Sequence, residues 1–291
     1  MIPRSFEYHA PRALDEAVSL LQQLGSEAKI LSGGQSLIPM MKLRLASPQY
    51  IVDINHIPDL NYVTEADGFL RIGALAREAD LENSPLIKSR YPLLADTTVM
   101  IADPLVRNQA TVCGNLAHGD PANDHPATML ALEAVLVAYS SRGEREIPVT
   151  SFFTGLFSTD LQPDEILKEI RVPVPQPSSG GAYLKLERKV GDYATAGVGV
   201  QVTLDGEGKC LRAGVGLTNV GFTPIKATKV EAFLNGKTLD DAAIKEASEI
   251  AAGESQPFDD IRGSADYKRD VVRVLTARAL KRALERARGG A

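Results

Sequence analysis

Two adjacent glycines follow a short apolar run near the start of the chain, in the segment Ala28–Ser36 (AKILSGGQS). The apolar run predicts a buried strand, and the glycines predict a tight turn directly after it. Because glycine lacks a Cβ atom, Gly33 and Gly34 allow a backbone whose successive N–H groups converge on an anion such as a pyrophosphate. The spacing matches neither the Gly-x-Gly-x-x-Gly dinucleotide pattern nor the phosphate loop that ends in Gly-Lys-Ser/Thr, so a simple turn remains the alternative.

The elements around this turn alternate between helix and strand. Residues 11–24 carry apolar side chains at helical spacing, and Gly25 follows them as a stop signal. After the turn comes an apolar segment, residues 37–45, and then Tyr50–Ile54, which is typical of a second strand. This order of helix, strand, glycine turn, apolar segment and strand predicts an α/β arrangement in the first part of the chain.

A second glycine-bearing segment, Thr111–Asn115, offers a hydroxyl, a glycine and an amide to a bound group. It opens a stretch rich in Gly, Pro, Asn and Asp, residues 111–127, and this composition predicts a loop. The spacing of the metal-ligating residue types in the stretch fits no closed zinc site, so we expect no metal. These residues are His118, Asp120, Asp124 and His125. Asp124 is better suited to accept hydrogen bonds from a ribityl or ribose chain, and the two histidines are expected to be satisfied within the loop.

A cluster of Pro, Ser and Gly in residues 173–181 indicates a boundary between two domains. We therefore expect an N-terminal domain over residues 1–175 and a C-terminal domain over residues 180–291. The sequence pattern changes near residue 61, which predicts that the N-terminal domain has two parts, residues 1–60 and residues 61–175.

The C-terminal domain is predicted to be a sheet followed by helices. Strand-like runs flank Asp205–Gly208, whose composition is a hairpin signal. Two helices are predicted after the strands, near residues 239–252 and 266–288. A sheet followed by helices is typical of an α+β domain, so we expect the α+β class for the chain.

Charge and cysteine content exclude several classes of function. The net charge is −5, whereas nucleic-acid binding needs a basic face, so we expect no nucleic-acid partner. No apolar run approaches the roughly 18–20 residues that cross a bilayer, and the N-terminus lacks the apolar core of a signal peptide. We therefore expect a cytoplasmic protein that does not span a membrane. The only cysteines, Cys113 and Cys210, are too few for an iron–sulfur cluster, which takes about four thiolates.

Several segments in a fixed order carry a resemblance that covers essentially the whole chain. They are Lys29–Lys42, Ile101–Pro104, Thr111–Asn115, Gly119–Asp124, Glu165–Leu167, Ile170–Pro173, Lys185–Ala194 and Gly216–Val220. Together they resemble the FAD-binding medium subunit of molybdenum hydroxylases of the xanthine dehydrogenase family. Within that family, the medium subunits of aerobic carbon monoxide dehydrogenases are the most similar. Two ordered glycine segments combined with the sequence RKVGDYA are far more specific than either glycine segment alone.

The resemblance implies the fold and a set of cofactor-binding residues. The fold would be a two-part FAD-binding domain of the vanillyl-alcohol-oxidase (PCMH) type, followed by a C-terminal domain of the carbon monoxide dehydrogenase flavoprotein type. No residue of the chain would be catalytic or would bind metal. The residues expected to contact FAD are Lys29, Ile30, Leu31, Ser32, Gly33, Gly34, Gln35, Ser36, Leu37, Ile101, Thr111, Val112, Cys113, Gly114, Asn115, Asp124, Leu167, Lys185 and Tyr193.

The resemblance also assigns roles within this set. The two glycine segments would hold the FAD pyrophosphate, and Asp124 would contact the hydroxylated chain of the cofactor. Ile101 and Leu167 would lie against the isoalloxazine ring. Lys185 falls near a position that contacts the flavin. Tyr193 would sit over the flavin and shield it or admit the electron acceptor.

Partners are implied as well. A large subunit would carry the molybdenum cofactor, a small subunit would carry two [2Fe–2S] clusters, and two such heterotrimers would form a dimer. Electrons would reach the FAD of this chain from the clusters and leave to a terminal acceptor, which is a quinone, NAD or another carrier. The substrate, whether carbon monoxide, an aldehyde, a purine or another N-heterocycle, would be bound by the large subunit.

Two other interpretations remain open. Cys113 stands where the family usually has glycine, so its side chain points away from the phosphates or the second segment is slightly displaced. A structural subunit that keeps the fold without binding flavin is therefore one alternative. The other alternative is a free-standing FAD oxidoreductase with its own substrate pocket.

Overall fold

The computed structural model describes residues 2–289 of the chain. Within that range the backbone forms three sheets packed against helices and one short two-stranded hairpin. The first sheet is parallel and the other two are antiparallel. Helices and strands are therefore mixed along the chain, and the predicted α+β class is confirmed.

The first sheet is small and lies under one helix. Its elements are β1 Glu7–His9, α1 Leu14–Leu24, β2 Ala28–Leu31, α2 Leu37–Lys42 and β3 Tyr50–Asp53. Strand β3 lies between β1 and β2 and runs parallel to both. The apolar face of α1 is buried at Ala17, Val18 and Leu21, and the helix ends at Gly25, whose φ of 59° favours glycine. The α/β order predicted for this part of the chain is confirmed.

The second sheet is antiparallel, with the strand order β4-β5-β10-β6-β7. Its strands and the helices inserted between them are β4 Val63–Ala66, β5 Phe69–Gly73, α3 Glu78–Asn83, α4 Pro85–Arg90, α5 Pro92–Val99, α6 Pro104–Arg107, α7 Val112–His118, α8 Asp124–Leu132, β6 Val135–Ser140, β7 Gly143–Pro148, α9 Val149–Phe152, β8 Phe153–Gly155, β9 Ser158–Thr159 and β10 Ile166–Pro173. Strands β8 and β9 form the short hairpin. The helices between β5 and β6 therefore carry the second glycine segment and Asp124.

The third sheet has the order β11-β12-β13-β14 and is followed by helices, as predicted. Its elements are β11 Ser179–Leu186, β12 Ala196–Leu204, β13 Cys210–Thr218, β14 Ile225–Lys226, α10 Thr228–Leu234, α11 Asp241–Glu254 and α12 Ala265–Ala287. The hairpin predicted at Asp205–Gly208 joins β12 to β13, and α10 was not predicted. None of the helices in residues 2–289 combines the length and apolarity needed to cross a membrane.

Helix α8 connects the second sheet to the third. A Cβ atom on Gly214 or Gly216 of β13 would overlap the carbonyl groups of Ala131 and Ala127 in α8. These glycines therefore let the helix backbone lie directly on the strand. All nine residues of α8 are buried as a result.

The prediction of a loop over residues 111–127 is wrong, because most of this stretch is helical. Thr111 caps α7, since its hydroxyl accepts a hydrogen bond from the amide of Gly114 at 3.2 Å. Gly119, with a φ of 67°, ends α7, and α8 begins at Asp124. The Gly, Pro, Asn and Asp content thus marks one short connection between two helices.

Candidate functional site

The first glycine segment joins β2 to α2 and leaves several backbone amides free of internal partners. Within residues 2–289, the amides of Gly33, Gly34, Gln35 and Ser36 donate to no backbone carbonyl. Gly33, Gly34 and Ser36 are half-buried and need an acceptor, whereas Gln35 is exposed, so these four amides are available to a bound group. Gly34 has a φ of 73°, the left-handed conformation that anion-binding turns use.

The second glycine segment packs directly on the first at Gly33. A Cβ atom on Gly33 would lie 2.5 Å from the carbonyl oxygen of Gln109 and 2.8 Å from the amide nitrogen of Thr111. The hydroxyls of Ser32 and Thr111 are 2.9 Å apart and hydrogen bonded. Glycine is therefore required here because two backbones touch, which is a stronger constraint than the turn alone.

Arg77 links the two glycine segments through hydrogen bonds. Its guanidinium donates to the carbonyl of Gln109 at 2.5 Å and to Oδ1 of Asn55 at 2.6 Å. The side-chain amide of Asn55 donates in turn to the carbonyl of Ser32 at 2.9 Å. Partial burial lowers the pKa of Arg77 from its ordinary value, although an arginine remains charged at neutral pH. Neither Arg77 nor Asn55 was singled out from the sequence, because they meet the glycine segments only in the folded chain.

The two segments form one end of a cleft of about 620 Å³. Pockets for small molecules and cofactors have volumes of about 300–1,000 Å³. The cleft is lined by residues 29–37 of the first part, by residues between 101 and 124 and between 161 and 167 of the second, and by residues 191–193 of the C-terminal part. All predicted FAD contacts except Val112 and Lys185 line this cleft.

Val112 and Lys185 lie behind the cleft wall. Val112 is completely buried in the apolar core around α7. The Lys185 ammonium, on β11, donates to the carbonyls of Met100 at 2.7 Å and Asp192 at 3.0 Å and to Oδ2 of Asp124 at 3.0 Å. Its three N–H donors are thereby used within the protein.

Cys113 lies on the inner side of α7. Its sulfur approaches the carbonyl oxygens of Ile72 at 3.8 Å and Gly73 at 3.6 Å, and it is 2% exposed. The side chain therefore points into the core, and Thr111 and Gly114 keep their contacts with the first segment. Burial raises the pKa of the Cys113 thiol well above its usual range, so the thiol is neutral.

Asp124 is the first residue of α8, and both of its oxygens are held by the C-terminal part. Oδ1 accepts from the hydroxyl of Tyr183 at 2.6 Å, and Oδ2 accepts from Lys185 at 3.0 Å. Burial raises the pKa of Asp124, while the Lys185 ammonium and the Tyr183 hydroxyl oppose that rise. A carboxylate next to an ammonium keeps lone pairs free, so Asp124 can still accept a hydrogen bond from a bound hydroxyl.

Tyr193 stands at the edge of the cleft, on the turn between β11 and β12. It is 46% exposed, and its ring centre is 5.7 Å from the guanidinium carbon of Arg262. The carboxylate of the preceding Asp192 accepts from Arg188 at 3.1 Å and from Arg262 at 3.2 Å. Burial would raise the pKa of Asp192, but these hydrogen bonds lower it. A half-exposed ring on an anchored turn is suited to cover the cleft edge.

The cleft is also lined by residues that the sequence did not predict as FAD contacts. Ala102 has a φ of 43°, and a Cβ atom on Gly191 would lie 2.6 Å from its carbonyl oxygen. His118 and Phe157 place their ring centres 5.3 Å apart, and burial lowers the pKa of His118, so that its imidazole is neutral. Pairs that meet only across tertiary contacts leave no local signal in the sequence.

The second histidine of the 111–127 stretch is part of a buried pair. His125 Nε2 lies 2.7 Å from Glu78 Oε2, and both side chains are completely buried. Across residues 2–289, no three His, Cys, Asp or Glu side chains are grouped so as to hold a metal ion. His125 therefore lies in α8 and pairs with α3 beneath the second segment, so the prediction that it is satisfied within a loop is wrong.

Family models match both halves of the chain. Residues 4–175 match the FAD binding domain in molybdopterin dehydrogenase, and residues 181–283 match the CO dehydrogenase flavoprotein C-terminal domain. The chain belongs to this flavoprotein family. The carbon monoxide dehydrogenase medium chain of Hydrogenophaga pseudoflava is 45% identical over 98% of this flavoprotein and 99% of its own length.

Two further relatives extend the comparison. Subunit alpha of the 6-hydroxypseudooxynicotine dehydrogenase complex of Paenarthrobacter nicotinovorans is 38% identical over 99% of this flavoprotein and 97% of its own length. A chain from the structure of Hydrogenophaga pseudoflava carbon monoxide dehydrogenase lacking the Mo-pyranopterin moiety matches with a TM-score of 0.95 and 46% identity, covering 98% and 99% of the two chains. The predicted family, two-domain fold and FAD cofactor are confirmed, and the flavoprotein is a subunit of an oxidoreductase.

The groups lining the cleft suit FAD. The buried Oδ1 of Asn115 has no hydrogen-bond partner within residues 2–289, so a donor from a bound molecule would satisfy it. The free amides of the first segment offer donors to phosphate oxygens, and Asp124 offers an acceptor to a hydroxyl. Donors at one end and a carboxylate further along the cleft match the polar groups of a dinucleotide.

Proposed function

We propose that this flavoprotein is the FAD subunit of a heterotrimeric molybdenum hydroxylase of the carbon monoxide dehydrogenase type. A large subunit would hold the molybdenum cofactor, a small subunit would hold two [2Fe–2S] clusters, and two heterotrimers would form a dimer. Bound FAD would take electrons from the clusters and deliver them to a quinone, NAD or another acceptor. The 45% identity to a carbon monoxide dehydrogenase medium chain over nearly the full length supports this assignment.

The direct contact between the two glycine segments at Gly33 is the observation that carries the proposal. It places the free amides of residues 33–36 beside Thr111–Asn115, and we assign Ser32–Ser36 and Thr111–Asn115 to the FAD pyrophosphate. Because the second segment is the start of a helix rather than a loop, its position is fixed by the core beneath it. We assign Asp124 to the hydroxylated chain of FAD, since it lies on the same cleft.

The apolar lining is assigned to the flavin ring. Ile101 and Leu167 line the cleft, and both are more than nine-tenths buried. Apolar walls exclude water from a bound ring system and fix its orientation. We propose that Tyr193 covers the exposed edge of the ring and thereby determines which acceptors reach it.

We also propose that the two functional domains are residues 1–175, with parts 1–60 and 61–175, and residues 180–291. Support comes from the end of β10 at Pro173 and the start of β11 at Ser179. The N-terminal domain supplies the pyrophosphate end of the cleft, and the C-terminal domain supplies the turn with Tyr193.

The second candidate is the medium subunit of a related dehydrogenase that acts on an aldehyde, a purine or another N-heterocycle. A relative that is 38% identical belongs to a 6-hydroxypseudooxynicotine dehydrogenase complex, so similarity in this subunit extends across different substrates. The substrate is recognised by the large subunit in either case. The two candidates therefore differ only in the partner chain.

The test is to isolate the tagged chain from its native host, with the Gly33→Val variant as a control. Flavin absorbance, molybdenum, iron and two additional chains are expected with the native chain. Bleaching of the flavin by carbon monoxide then supports the first candidate, and bleaching only by an aldehyde or heterocycle supports the second. A flavin-bearing chain that arrives alone would indicate a free-standing oxidoreductase, and a complex without flavin would indicate a structural subunit.

A further inference from the structure

One buried ammonium joins three separate segments of the cleft wall. The Lys185 side chain is 1% exposed, and its Nζ donates to the carbonyl of Met100, to Asp124 and to the carbonyl of Asp192. These acceptors lie at the end of α5, at the start of α8 and on the turn between β11 and β12. Each N–H of the ammonium therefore serves a different segment.

The residues next to these acceptors line the cleft. Met100 directly precedes Ile101, and Asp192 directly precedes Tyr193. The two turns also touch, because a Cβ atom on Gly191 would lie 2.6 Å from the carbonyl oxygen of Ala102. Loss of the ammonium would thus remove one hydrogen bond from each turn, close to the point where the two turns meet.

Charge makes this lysine difficult to replace. The Glu187 carboxylate lies 3.2 Å from Lys185 Nζ without hydrogen-bond geometry, so the ammonium faces two carboxylates, those of Asp124 and Glu187. Tyr183, two residues earlier on β11, holds the other oxygen of Asp124 and contacts the hydroxyl of Thr218 at 3.1 Å. Removing the cation would leave buried negative charge uncompensated, which is strongly unfavourable.

We infer that Lys185 is a positioning residue that fastens the Asp192–Tyr193 turn to Asp124 and to the turn before Ile101. Through it, the C-terminal domain sets the shape of the cleft wall opposite the pyrophosphate end. The consequence for FAD affinity rests on the proposed function, whereas the position of the turn can be measured without FAD. Cofactor affinity and coverage by Tyr193 are therefore coupled through one side chain.

A single fluorescent reporter tests the inference. The chain contains no tryptophan, so Tyr193→Trp places one reporter on the turn. In that background and without FAD, Lys185→Met is expected to raise acrylamide quenching of the reporter by about twofold, because the turn opens locally. The control is Lys226→Met, which removes another ammonium that bridges the two domains. Lys226 Nζ donates to the carbonyl of Leu130 at 3.3 Å and to the carboxylate of Glu133 at 3.1 Å. It is expected to leave the quenching unchanged.

Gly191→Ala provides a second variant in case Lys185→Met does not fold. It keeps Lys185 but places a Cβ atom against the Ala102 carbonyl, at a φ of 80° that disfavours alanine. Separation of the two turns is expected to raise reporter quenching in the same direction. Unchanged quenching in every folded variant of Lys185 and Gly191 would overturn the inference.

FAD titration separates this inference from the proposed function. Lys185→Met is expected to weaken FAD binding by about tenfold, equivalent to about 1.4 kcal/mol, whereas Lys226→Met leaves it unchanged. Equal affinity of Lys185→Met and the native chain would overturn the coupling to FAD. A native chain that binds no FAD would overturn the proposed function, and the reporter quenching would still decide whether Lys185 positions the turn.

Discussion

At the residue scale, Gly33 is constrained by a neighbour rather than by its own backbone angles. Its φ lies outside the left-handed region, yet its missing side chain lets the backbone of Gln109 and Thr111 approach. Gly34 is the residue with positive φ, so the two glycines have different roles. The sequence predicted that both were needed, and the contact at Gly33 became apparent only in the folded chain.

Gly33→Val should abolish FAD binding, because a branched side chain would force the two glycine segments apart. The matched control is Gly206→Val, since a Cβ atom there meets open space. FAD titration of both variants, with circular dichroism to verify folding, measures the difference. A folded Gly33→Val chain with native FAD affinity would contradict the assignment of these segments to the pyrophosphate.

The cysteines give a second residue-scale prediction. Burial raises the pKa of Cys210 to about 11 and that of Cys113 well above its usual range. Only the thiolate is reactive, so neither residue should be modified by dithionitrobenzoate at about pH 8 in the folded chain. Both should react after unfolding in urea, which serves as the control. Rapid labelling of one thiol in the folded chain would show that Cys113 or Cys210 is accessible.

Replacement of Cys113 tests whether it impairs FAD binding. Because its sulfur points into the core, Cys113→Gly should leave FAD affinity unchanged. It should lower the free energy of unfolding by about 1–3 kcal/mol, since it creates a cavity and adds a glycine to α7. FAD titration and urea unfolding measure the two effects. A large gain in FAD affinity would instead support the structural-subunit alternative.

At the element scale, the sequence predicted several strands and the helices α1, α11 and α12, because periodic apolar residues determine which face is buried. Helix α1 and strands β2 and β3 are examples. Helix α7 was missed because its Gly and Asn content is also typical of loops. The Thr111 cap was the available signal, but it depends on a hydrogen bond that composition does not reveal.

Acid sensitivity is expected from Glu169 in β10. It accepts hydrogen bonds from Tyr62 at 2.6 Å, Arg71 at 2.7 Å and Arg171 at 2.5 Å. Burial alone would raise the pKa of Glu169, but these hydrogen bonds outweigh burial and lower it. Its stabilising effect is therefore present above the unfolded-state pKa of about 4.3 and is lost as pH falls toward the lower folded-state pKa.

Glu169→Gln should therefore lower the free energy of unfolding at neutral pH by about 1–2 kcal/mol and reduce its dependence on acid pH. Urea unfolding at about pH 7 and at about pH 3.5 measures both effects, with the exposed Glu246→Gln as control. Equal acid dependence in the native chain and Glu169→Gln would show that other carboxylates dominate acid unfolding.

At the scale of the whole molecule, the cleft depends on contacts between distant segments. The sequence indicated the residues of the glycine segments, but not that Arg77 and Asn55 hold them or that Lys185 fastens the opposite wall. Each of these side chains joins elements far apart in the chain. Such contacts follow from the packing of the three sheets, which local patterns do not encode.

The same packing predicts that both domains unfold together. Helix α8 lies directly on β13 through Gly214 and Gly216, so neither domain can lose its core without exposing part of the other. Calorimetry should show one transition for the native chain.

Gly216→Ala should lower the free energy of unfolding by about 1–3 kcal/mol, because its Cβ atom would overlap the Ala127 carbonyl. The transition should remain single but move down by several degrees, whereas Gly206→Ala should leave it unchanged. Two separate transitions in the native chain would mean that the domains are independent, and that α8 does not couple the C-terminal sheet to the FAD cleft.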